Sequence, residues 1–177
     1  MKKLLSITLT TLLVLFASQA FGQTVSDEIS AQANIISALS VVGEDDLTFG
    51  DVIAGNNGTI EVNNDGSMEV TNAGNAQLGR FVLDGSDGEQ YALSFDIPEN
   101  LSDGTNNLPF VMGGSQYGLI EDSNDEDGNF DPDSGVDVQF STSNITVLLG
   151  GEVQPTSGQE SGVYTGTVTL EATPTSF

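Results

Sequence analysis

Side chains alternate in character along residues 162–173. Tyr164, Gly166, Val168, Leu170 and Ala172 fall on one side of an extended chain. Thr165, Thr167, Thr169, Glu171 and Thr173 fall on the other. A repeat of two marks a β-strand with one dry and one wet face, because successive Cβ atoms point to opposite sides. The same repeat places Tyr91, Leu93, Phe95 and Ile97 in one row and Ile145, Val147 and Leu149 in another. Between such runs lie clusters of turn formers, among them Asn63-Asn64-Asp65-Gly66 and Asp84-Gly85-Ser86-Asp87-Gly88. These residues tolerate positive φ and bond to their own backbone, so they favour reversals over helix. The pattern predicts strands at 34–42 (Ile36, Ala38 and Val42 on one face), 47–52, 59–62, 67–71, 78–83, 90–97, 108–112, 136–140, 145–149 and 164–172. The pairs 59–62 with 67–71, and 78–83 with 90–97, are expected to be hairpins. About eight to ten strands separated by polar turns predict an all-β sandwich in one domain, residues 31–177.

The N-terminus reads differently. Lys2 and Lys3 precede an apolar and hydroxylic run to Phe16, and Ala20-Phe21-Gly22 puts small residues where a signal peptidase wants them. Residues 1–22 are expected to be a secretory signal peptide cut after Gly22, followed by an extension over 23–30. The apolar run is shorter than the roughly 20 residues of a spanning helix, and no transmembrane anchor is expected in the mature chain. The expected location is secreted, extracellular or on the cell surface, with the periplasm as a further compartment. Cysteine is absent, so export proceeds without disulfides, as suits a bacterial envelope protein.

Charge narrows the function further. The chain carries 26 Asp and Glu against 3 Lys and Arg, a formal net charge of −23. Removing Lys2 and Lys3 takes this to −25 and leaves Arg80 as the sole basic side chain. Nucleic acid is excluded as a partner, since phosphate binding needs clustered cations. Anionic lipid surfaces are excluded in the same way. With no histidine and no cysteine, Ser–His–Asp and Cys–His catalysis and His- or Cys-built zinc sites are unavailable. The protein is expected not to be an enzyme.

One segment suggests a hard cation. Residues 121–135 read as an exposed acidic loop, too polar for a core. Within it Asp125, Asp127, Gly128, Asp131 and Asp133 give an aspartate-rich spacing. Alternate carboxylates can converge on the six to eight oxygens that Ca²⁺ takes, and glycine permits the sharp turn. Asp125, Asp127, Asp131 and Asp133 are the candidate calcium ligands; a plain solvated loop is the alternative.

The run Asp46-Leu47-Thr48-Phe49-Gly50-Asp51-Val52-Ile53-Ala54-Gly55-Asn56-Asn57-Gly58-Thr59-Ile60-Glu61-Val62, then Asp65-Gly66-Ser67, then Gly162-Val163-Tyr164-Thr165-Gly166-Thr167-Val168-Thr169-Leu170, resembles the opening and closing signatures of the domain-of-unknown-function family 4402. The closing motif is also similar to spore coat protein U and fimbrial subunits. The resemblance implies an immunoglobulin-like, pilin-like sandwich at or beyond the cell surface, and it supplies no catalytic residues. It opens the expectation of a structural or adhesion role, with self-association by strand exchange or contact with other surface proteins. Ile29, Ala31, Ala33 and Ile35 alternate as a donated strand would, although Asp27 and Glu28 break the pattern. A calcium-dependent adhesion or carbohydrate-binding module using the acidic loop is the alternative function.

Self-repulsion at this charge costs stability that salt restores, since the screening length falls to about 10 Å at 0.1 M. The melting temperature is expected to rise between low and high NaCl in differential scanning calorimetry. A flat or falling response would contradict a fold strained by its own charge.

Overall fold

The computed structural model describes residues 39–121 and 128–175. Within them the protein is all-β, a sandwich of antiparallel ribbons. One sheet runs in the order β1 (Ser40–Asp45), β6 (Gly79–Asp84), β13 (Asn144–Leu149), β10 (Gly118–Glu121) and β11 (Gly128–Phe130). A second orders β12 (Val136–Gln139), β7 (Gln90–Asp96) and β15 (Thr169–Pro174). A third orders β4 (Met68–Thr71), β3 (Gly58–Val62), β14 (Gly151–Val153), β9 (Asn107–Val111) and β8 (Asn100–Ser102). Two short strands, β2 (Asp51–Val52) and β5 (Ala73–Gly74), pair beside them.

The described residues thus hold fifteen strands, more than the eight to ten expected. Long ribbons are broken by bends. The central ribbon runs through β13, turns at Gly150 and continues as β14 in the third sheet. Gly150 makes this turn against the Ile60 carbonyl, where a Cβ would overlap the oxygen. Similarly β7 and β8 are two parts of one path, along which Thr169 pairs with Asp96 and Thr165 bridges Ser102.

The main core draws on all three large sheets. Tyr91, Leu93, Leu83, Ile145, Val147, Leu149, Ile60, Phe110, Val153 and Phe140 are buried together. Tyr91 and Phe140 meet edge to face, as do Phe49 and Phe110, the arrangement favoured by ring quadrupoles. A satellite cluster of Val62, Leu119 and Leu148 lies on the opposite face of β10 and β13. There the β3–β4 hairpin reaches over the sheet, and Asn129 donates to the Val62 and Gly118 carbonyls at 2.7 and 3.0 Å. Its tip is the expected turn: Gly66 has φ 76°, and Asp65 accepts from the Ser67 backbone and hydroxyl.

Several expectations change. Residues 34–38 of the first predicted strand lie outside the described residues, and β1 begins at Ser40. Its register pairs Val41, not Val42, with the fully buried Leu83. Val42 pairs with Val82 on the outer face, because paired residues share a face and Leu83 fixes which one is dry. The strand expected at 47–52 is a two-residue ladder plus isolated bridges at Thr48 and Gly50, though Leu47 and Phe49 do pack on the core. β6 and β7 do not form a hairpin. They belong to different sheets, and their connection is held instead by Gly85 N–H to Ser143 O and Gly88 N–H to Phe140 O. Turn residues thus built an arch between layers.

The closing segment keeps its alternation but not its length. Leu170 is buried and Tyr164, Val168 and Ala172 are half-buried, while the residues between them are exposed. Continuous pairing starts only at Thr169. At one side of the sandwich β11 and β12 are linked by only residues 131–135, which holds those two sheet ends together. β1 and β15 are the opposite ends of the same two sheets.

Replacing Gly150 with Ala is expected to destabilise the fold by about 1–3 kcal/mol through overpacking against the β3 backbone. Gly158, with open space around it, is the control. A urea titration in which both alanine variants kept the parent midpoint would contradict the tight bend.

Candidate functional site

The acidic segment is built more firmly than its composition suggests. Residues 128–130 form β11 against β10, and Phe130 is buried, stacked on Phe95 with ring centroids 5.6 Å apart. Pro132 is also fully buried. The expectation of an exposed loop over 121–135 therefore fails at these residues. One aromatic and one proline among carboxylates anchor the segment to the core. Asp131 Oδ1 accepts the Gly114 N–H at 2.9 Å and the Asp133 N–H at 3.1 Å. The turn closes through Ser134 N–H to Asp131 O, after which Gly135 (φ 69°) passes against the Leu93 carbonyl.

Of the four candidate calcium ligands, Asp131 and Asp133 share this turn, and Asp125 and Asp127 lie outside the described residues. Among the described residues no group of three or more acidic side chains is gathered as a metal site would require. The carboxylate of Asp131 serves the backbone of the 113–114 and 131–135 segments.

A polar cluster missed in the sequence lies on the third sheet. Glu152 on β14 accepts from Asn57 Nδ2 at 2.8 Å and Gln154 Nε2 at 2.7 Å. Its other oxygen accepts from the Tyr117 hydroxyl at 3.4 Å. Burial pushes the Tyr117 phenol above its ordinary value, and the charges of Glu152 and Glu61 add to the shift. Tyr117 is a packing residue with one polar handle, its ring almost wholly buried. Among the described residues every buried side-chain nitrogen and oxygen has a partner, so these polar groups are spent on holding the fold.

Tyr164 anchors a corner before β15. Its hydroxyl donates to the Glu160 carbonyl at 2.8 Å and accepts from Gln159 Nε2 at 2.8 Å. That pair of bonds closes the loop before β15 on itself, much as a tyrosine corner's hydroxyl bonds back to backbone a few residues upstream.

The remaining surface of interest is made of strand edges. β1 ends the first sheet, β15 the second and β4 the third. Leu39 and Phe81 near β1, and Val168 and Ala172 by β15, are apolar, half-buried and packed on the core. Val41 on β1 is more exposed still.

Residues 39–173 match the family described as Domain of unknown function (DUF4402). The chain belongs to that family. The match runs from just before β1 to the penultimate residue of β15, so the DUF4402 domain is the whole sandwich. No curated protein and no solved structure matches the chain. No described helix is long and apolar enough to cross a membrane.

Tyr164→Phe removes both hydroxyl bonds and leaves the ring in place. It is expected to cost about 0.5–1.5 kcal/mol and to speed hydrogen exchange in residues 159–168. Unchanged denaturation and exchange would remove the corner from the account.

Proposed function

We propose that this DUF4402 protein is exported by its N-terminal signal peptide and acts outside the cytoplasm as a non-enzymatic structural subunit. It joins its neighbours by strand pairing, in the manner of pilin-like or adhesive surface proteins. The observation that carries this reading is the pair of strand edges, β1 and β15, which end two sheets on the same side of the sandwich and have no ladder partner beyond them among the described residues. Half-buried apolar side chains line that side: Leu39 and Phe81 by one edge, Val168 and Ala172 by the other. An unpaired edge flanked by apolar side chains is what a donated strand recognises: the backbone supplies hydrogen bonds and alternate side chains supply burial. The alternating Ile29, Ala31, Ala33 and Ile35 of a neighbouring copy have the spacing for it.

Chemistry points the same way. A chain without histidine or cysteine and with Arg80 as its only cation after Lys3 lacks the usual nucleophile–base pairs and cationic clamps. The dense carboxylate cover suits a protein that must stay soluble outside the cell.

Light scattering on the processed chain, residues 23–177, tests the reading. The intact chain is expected to form oligomers, and deleting residues 23–35, which removes the whole alternating row, is expected to leave a folded monomer. A processed chain that stays monomeric at every concentration, or a deletion that leaves the oligomers intact, would contradict strand exchange. Sequencing the exported product should find Gln23 first.

A further inference from the structure

The inward-facing row of β3 continues onto β4 and loses its cover there. Ile60 and Val62 on β3 are 0% and 3% exposed, whereas their cross-strand partners Val70 and Met68 are 37% and 44% exposed. Paired residues of an antiparallel ladder point to the same side, so one apolar row is dry on β3 and open on β4. The far edge of β4 has no ladder partner among the described residues.

Two other terminal strands, one in the first sheet and one in the third, are blunted by shortness: β11 and β8 are three residues long each. Such features discourage pairing with a further strand. β4, with the sequence Met-Glu-Val-Thr, has no proline, no lysine and a regular register over all four residues.

The other face of the hairpin states the charge of the missing neighbour. Glu61 and Glu69 stand directly opposite each other in the β3–β4 ladder. Like charges so placed repel and cost stability. A strand laid beside β4 puts one side chain next to Glu69, and a Lys or Arg there relieves the repulsion. Its two flanking residues then fall on the side of Met68 and Val70.

We propose that β4 is a docking edge for an extended segment of a different protein, with an apolar–basic–apolar sequence. A second copy does not supply it. Beyond Lys3 the chain's only cation is Arg80, which sits in the middle of β6 between β1 and β13 and pairs with Glu44 at 3.0 Å. A copy offering its own β4 would bring Glu69 to Glu69. The proposal uses a different edge and a different partner from strand exchange at β1 and β15, and stands or falls separately.

The test titrates the processed chain, in saline buffer, with the capped peptide Val-Lys-Val-Lys-Val-Lys-Val. A peptide of the same composition with its valines grouped at one end runs beside it. The alternating peptide is expected to bind at least about tenfold more tightly than the grouped one. Val70→Glu and Glu69→Lys are each expected to weaken it by a similar factor, and Glu160→Lys, an equal charge change on a distant loop, to leave binding within about twofold. Glu69→Lys should also raise the melting temperature of the free protein, because it removes the like-charge pair while destroying the site; a misfolded variant could not do this. Equal binding of both peptides would reduce the effect to charge attraction and overturn the proposal. So would no binding at millimolar peptide, indifference to Val70→Glu and Glu69→Lys, or a parent dimer that Val70→Glu converts to monomer.

Discussion

Burial of β13 on both faces is the constraint from which the rest of the architecture follows. Ile145, Val147 and Leu149 point into the sandwich core, and Leu148 and Thr146 into the space beneath the β3–β4 hairpin. β6 and β10 flank it, so its backbone is paired on both sides. A one-residue slip of such a strand would swap its two rows, sending Thr146 and Leu148 into the core and Ile145, Val147 and Leu149 beneath the hairpin, so the packing on both faces fixes its register. From its end the bend at Gly150 hands the chain to β14 and thereby joins the first sheet to the third. The short flanking strands could not hold such a shape alone; isolated two-stranded ribbons are marginal in water.

That division between a doubly buried centre and singly paired margins explains where function can reside. Among the described residues every buried side-chain nitrogen and oxygen at the centre has a partner. The margins offer backbone edges, apolar side chains that are only partly covered, and a surface of one charge sign. The roles we propose rest on those edges and on what flanks them. At β1 and β15 the flanks are half-buried apolar side chains; at β4 they are apolar on one face and doubly acidic on the other.

Much of this was legible in the residues. Alternation in 90–97 and, apart from the exposed Gly166, in 164–172 identified rows that face the core, because a wet face and a dry face impose it directly; in 145–149 it found the row Ile145, Val147 and Leu149 but not the second dry face, where Thr146 and Leu148 are buried too. The arch between β6 and β7 was not legible, since Asp-Gly turns serve hairpins and inter-sheet connections alike and only pairing partners distinguish them. β11 was hidden because Phe130 stands alone among carboxylates, and one anchoring ring carries no period. The offset of β1 by one residue arose similarly: adjacent Val41 and Val42 leave the inward face to be decided by β6. The Glu152 cluster draws Asn57, Tyr117 and Gln154 from three separate segments and has no linear signature at all.

Native-state hydrogen exchange measures the central claim most directly. The account predicts that the amides of residues 145–149, with those of β6 and β10 bonded to them, exchange most slowly and only through global unfolding, while β4 and β1 exchange through local opening. Protection concentrated elsewhere, or β13 amides exchanging as fast as those of β4, would contradict a fold organised around one doubly buried strand.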